Sequence, residues 1–163
     1  MNGMPDGWDN FFVATAGAAA ALAGLIIVAM SVNIQTIISM PSMTSRAAAT
    51  IASLILIVVS TAAGLIPGQP VQLLGAELLA FGVGATVLTF DSAVRMRRAA
   101  RPSVTVIWVK IVIAFLQILP FLVGAAVLLT SSYDGLYWLA AGVLLVFIGS
   151  VTNAWVLMVE ILR

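Results

Sequence analysis

The sequence contains no cysteine and no histidine. Without thiols there are no disulfides. Without imidazole there is no haem ligation through histidine, no zinc site of the usual kind and no Ser-His or Cys-His nucleophile pair. Most hydrolytic chemistry goes with them, so the chain reads as non-enzymatic, with no catalytic residue, metal or cofactor. Charge is nearly as scarce: seven basic and six acidic side chains make up 8% of 163 residues. Four of the seven basic residues gather in one connector, which leaves no broad basic surface for nucleic acid. The opening MNGMPDGWDN has two aspartates and neither lysine nor arginine, so it lacks the positive flank of a secretory signal peptide. The first apolar run is therefore expected to be kept as a spanning helix.

What fills the chain instead is apolar. With 63% hydrophobic residues and a mean hydropathy of +1.19, a soluble domain of this length could not cover its own surface. The expected solvent is lipid. A helix needs roughly 20 apolar residues to cross a bilayer core, and five stretches qualify: 8–38, 46–66, 71–90, 104–130 and 136–162. They are separated by SMPSMTS, PGQP, DSAVRMRRAARPS and SSYDG, whose prolines and glycines stop one helix and let the next begin. The expected fold is all-α, a single domain over 1–163 built as an integral membrane bundle of five transmembrane helices.

Charge sets an expected orientation. Arg95, Arg97, Arg98 and Arg101 lie in the third connector and Arg46 closes the first, whereas Asp6, Asp9, PGQP and Asp134 fall on the opposite side. By the positive-inside rule the N-terminus is outside and the C-terminus cytoplasmic, in agreement with Arg163. Trp8, Phe11, Phe12, Tyr133, Tyr137 and Trp138 would form an outer aromatic belt. RMRRAAR is expected to continue the third helix into the cytoplasm. Its arginines read either as a contact for anionic lipid or a partner, or as a topology determinant solvated among the headgroups.

In lipid, close packing of small residues and interhelical hydrogen bonds hold helices together. Helical spacing exposes such stripes: Gly17, Ala20, Ala21, Gly24, Val28, Ser31 and Gln35 on the first span; Ala49, Ser53, Ser60 and Gly64 on the second; Ala76, Ala80 and Gly84 on the third; Gly142, Gly149 and Asn153 on the fifth. Each is expected to be a seam for a neighbouring helix. On the fourth span Lys110, Ala114, Gln117, Phe121 and Gly124 align, and the polar members should point into protein or a water-filled space. Pro120 removes a hydrogen bond beside that face, which suits a permeation path and a packing feature equally.

Glu77 stands alone in the apolar third span. Counting from PGQP sets it level with Ser60 or Thr61, roughly 10 Å below the outer surface, at a helix interface, where desolvation without a cationic partner should keep the acid protonated. Lys110 falls near the opposite leaflet, within reach of Asp91 or Glu160. The readings there are a structural ion pair or a cationic ring in an oligomer that biases a pore toward anions.

WDNFFVATAGAAAALAGLIIVAMSVN, with the later PGQPVQLLGAELLA, resembles a group of small actinobacterial integral membrane proteins often labelled modulators of a membrane-anchored ATP-dependent protease. The resemblance covers about the first half of the chain. It implies a small polytopic protein of the bacterial plasma membrane and supplies no active residues. Two functions are expected to compete: a homo-oligomeric channel or small-solute conduit, with Lys110 to Gln117 or Asn153 facing the axis, and a subunit that regulates other membrane proteins through its small-residue seams. The expected partners are membrane lipids, further copies of the chain and possible membrane-protein clients.

Overall fold

The computed structural model describes residues 4–39, 41–100 and 104–161, and the side chains of these apart from 36, 38, 41–43, 45, 88–111 and 160–161. Five long helices and one short one follow in order: α1 (Trp8–Val32), α2 (Ile34–Ser39), α3 (Pro41–Gly64), α4 (Val71–Ala100), α5 (Val104–Leu129) and α6 (Gly135–Ile161). Among the described residues, four helices are long and apolar enough to cross a membrane: Trp8–Val32, Arg46–Gly64, Val112–Leu129 and Gly135–Val159. The described apolar part of α4, Val71–Val87, is shorter. The chain is a multi-pass membrane protein.

The boundaries depart from the sequence expectation in two places. The first span does not run unbroken over 8–38 but breaks at Asn33, whose φ and ψ are −110° and 22°. The Asn33 side chain donates from Nδ2 to the Ala29 carbonyl at 3.0 Å, the acceptor its own backbone N–H would take in a continuing helix. That N–H goes to the Met30 carbonyl instead, at 3.2 Å. The second helix is already present at Pro41, inside the segment expected to be a loop. The expected extension of the third helix is observed, with α4 continuing to Ala100.

α3 is the hub, touching α1, α4 and α6, while α4 packs on α5 and α5 on α6. α3 is accordingly the most buried of the four long spans and α1 the least. The tightest seam is α5 on α6. Residues 117, 121, 124 and 128 of α5 meet 135, 139, 142, 146 and 149 of α6, alternating steps of four and three that keep one stripe facing an antiparallel partner. Three glycines of α6 sit seven apart in this stripe. Gly142 lies against the Phe121 backbone and Gly135 against the Gly124 carbonyl, so the two main chains approach as closely as glycine permits. Gly75 of α4 plays the same part against α5, where an added Cβ would come within 2.9 Å of the Ala125 oxygen.

The small-residue stripes of α1 and α4 do not serve as seams within the chain. α1 packs through Phe12, Ala19, Ala23 and Ile26, and Gly17, Ala20, Ala21, Gly24, Val28, Ser31 and Gln35 face outward. α4 packs through Leu74, Gly75, Leu78 and Gly82, leaving Ala76, Ala80 and Gly84 outward. Both faces of these helices are largely apolar. The inward faces mix large side chains with alanine and glycine, while Leu25, Ile27, Val83 and Val87 stay exposed.

Candidate functional site

The ends of α1, α3, α4, α5 and α6 that carry the PGQP and SSYDG turns come together at one end of the bundle. Trp8 packs edge to face on Phe11 and on Tyr137, with centroids 5.7 and 5.2 Å apart, tying the start of α1 to the start of α6. The Phe12 ring covers Gly64 at the end of α3, where a Cβ would lie 2.6 Å from the ring. Gln72 donates to Ser131 Oγ at 2.6 Å, joining α4 to the α5–α6 turn. Four of the six aromatics expected in a belt are thus clustered with the two turns, and Trp138 is exposed beside them.

Glu77 belongs to this end. It lies half-buried on α4, and its Oε2 accepts a hydrogen bond of 2.7 Å from Gln69 Nε2. The depth count set Ser60 and Thr61 opposite the glutamate, but neither hydroxyl is bonded to it. Thr61 donates to the Ile57 carbonyl at 2.7 Å within its own helix, and Ser60 Oγ is buried with no partner. Gln69 is the residue that reading the sequence missed. It sits in the PGQP turn, where Gly68 takes a φ of +71° that glycine adopts without strain, and the chain doubles back so that a side chain eight positions earlier reaches down to Glu77. A glutamine between two prolines was a visible signal, although only the turn brings it to the carboxylate. Its other amide atom, Oε1, is buried and without a partner.

The polar face of α5 resolves differently. Gln117 packs its carboxamide directly on Gly149, Phe121 on Gly142 and Gly124 on Leu139 and Gly135, so this stretch fills the α5–α6 seam. Ser150, next to Gly149, is buried and donates to the Val146 carbonyl at 2.8 Å. Asn153, one turn further, is exposed. The side chains of Lys110, Asp91, Glu160, Arg95, Arg97 and Arg98 lie outside the described residues, as does Arg101 altogether, and with them the inner ion pair and the arginine contact expected from the sequence.

Two apolar hollows lie on the described surface. One is bounded by Ile26, Met30, Ile37, Ala154 and Leu157; the other lies along Val112, Phe115, Leu116 and Leu119 on the outside of α5. Neither brings polar groups together. Among the described residues no cluster of three or more His, Cys, Asp or Glu side chains is placed to hold a metal ion. Comparison with protein-family models, with curated proteins and with solved structures finds no match.

Proposed function

We propose that this multi-pass membrane protein is non-enzymatic and acts by lateral association in the bilayer, through the outward face of α1, with further copies of itself or with a client membrane protein. The observation that carries this reading is the open space over Gly17 and Gly24, where an added Cβ would meet nothing within 4 Å. Small residues four and seven apart let a second helix approach its backbone, and in lipid that approach is a principal source of helix affinity. Ala76, Ala80 and Gly84 give α4 a second outward face of the same kind. A subunit that docks on others needs no catalytic constellation, and the resemblance to protease modulators implies the same class of role. In the membrane α4 would complete a fifth crossing, with the PGQP and SSYDG end outside and the arginine connector in the cytoplasm.

The test is a pair of substitutions that the isolated chain should tolerate. Gly17→Leu and Gly24→Leu point into open space, so the bundle should fold and extract as before. Native mass analysis of the detergent-extracted protein should show the wild type associated and the variants dissociated. A wild type that is monomeric and partner-free at every detergent and lipid content, or variants that associate unchanged, would overturn the reading.

A second reading, the homo-oligomeric conduit, is favoured by Asn153. Its exposed carboxamide on a span is costly toward lipid and useful on a shared polar axis. Gln117 lends that reading no support, since it is spent on the α5–α6 seam.

A further inference from the structure

We infer that the Ile66–Pro70 segment is a strap closed over α4 by one polar clasp, Gln69 on Glu77, and that it opens as a local unit to uncover the Glu77 carboxylate. This inference does not depend on the lateral-association reading. The strap has few other attachments. Pro67 and Pro70 have no N–H to give, and the backbone bond from Gln69 to the Ile66 carbonyl is long, at 3.5 Å. Ile66, Pro67, Gly68 and Pro70 are exposed. At its two ends the segment is closed by single turns, which strap opening frays: Leu65 and Ile66 donate to the carbonyls of Ala62 and Ala63 at 3.1 Å, and Leu73 and Leu74 donate to that of Pro70 at 3.0 and 3.1 Å. Gly68, at a φ of +71°, supplies the bend between these two turns.

The clasp is a short hydrogen bond to a side-chain carboxyl oxygen, 2.7 Å long. It is also half satisfied. Gln69 Oε1 is buried without a partner while Nε2 is engaged, so closing the strap takes one good acceptor out of reach of water for each bond made. The two effects oppose each other, which is what leaves the strap closed and yet able to open. Glu77 holds the strap through Gln69; its place in the span is set by what it fastens and not by a depth match to the hydroxyls of α3. Opening frees a carboxylate and a carboxamide together at the end of the bundle where both turns lie.

Hydrogen exchange of the purified full chain in lipid nanodiscs, followed on peptides spanning 66–73, tests this. In the wild type these amides should exchange faster than those of the α5–α6 seam at 117–128. Gln69→Leu and Glu77→Leu should each accelerate exchange of the 66–73 amides by about three- to tenfold, the range for loss of one net hydrogen bond, and leave 117–128 unchanged. The double variant should be no faster than either single one, because both remove the same clasp. Glu77→Gln, whose side-chain oxygen can accept from Gln69 Nε2, should stay near the wild type. If Glu77→Leu fails to fold, Gln69→Leu removes the same bond from the turn side and carries the comparison. Unchanged exchange in Gln69→Leu, multiplicative effects in the double variant, or Glu77→Gln as fast as Glu77→Leu would each overturn the clasp.

Discussion

Replacing glycine by alanine should have opposite effects at two positions of this chain, and the structure says which. At Gly142 a new Cβ would meet the backbone of Phe121, with Phe121 Cα and Cβ both 2.6 Å away. Ordinary contact begins near 3.4 Å and the Phe121 backbone nitrogen is nearer still, so α5 and α6 must part by at least about 0.8 Å at that level. Neither main chain can turn aside as a side chain can. Parting there also loosens Gly124 against Leu139 and Gln117 against Gly149 on either side. Overpacking of this kind costs about 1–3 kcal/mol, whereas the gain in helix propensity from glycine to alanine is at most about 1 kcal/mol. Gly142→Ala should therefore destabilise the bundle by about 1–2 kcal/mol. At Gly17 nothing lies within 4 Å, the overpacking cost vanishes, and Gly17→Ala should be neutral or slightly stabilising. Gly149→Ala should fall between them, since the obstruction there is the mobile end of Gln117. Equilibrium unfolding of each variant in mixed micelles, by titration with a denaturing detergent and read by helical circular dichroism, gives the ranking. A Gly142→Ala protein as stable as the wild type would refute the close main-chain approach of α5 and α6, and destabilisation of the dissociated chain by Gly17→Ala would refute the outward placement of its stripe.

Two further outcomes are expected. Single cysteines at Gly68 and Asp134, on the end where both turns meet, should react with an impermeant thiol reagent in intact cells, and one at Arg98 should not; labelling at Arg98 with protection at the other two would invert the orientation. Asn33→Leu removes the side chain that occupies the Ala29 carbonyl, so α1 and α2 should fuse into one helix, seen as a longer distance between spin labels at Val28 and Ser39; an unchanged distance would mean that the break is imposed by packing elsewhere.

The sequence by itself determined the solvent and the parts. An apolar composition interrupted by four turn-rich segments can be satisfied only by spanning helices, since backbone groups in lipid must bond within their own segment. The starts at Trp8 and Val71 were therefore legible to within a residue or two. The local competition at Asn33 was encoded too, but in a single residue whose effect depends on which carbonyl is left to bond. Tertiary structure decided which face of each helix turns inward. In a soluble helix the polar face announces itself. In α1 and α4 every face is apolar, so glycine and alanine stripes mark where a neighbour can come close without saying whether that neighbour is in the same chain. The same holds for Glu77. Its residue type and place near the PGQP turn could be read from the order of the sequence, whereas its partner is fixed by a turn, through Gly68, that carries Gln69 back along α4.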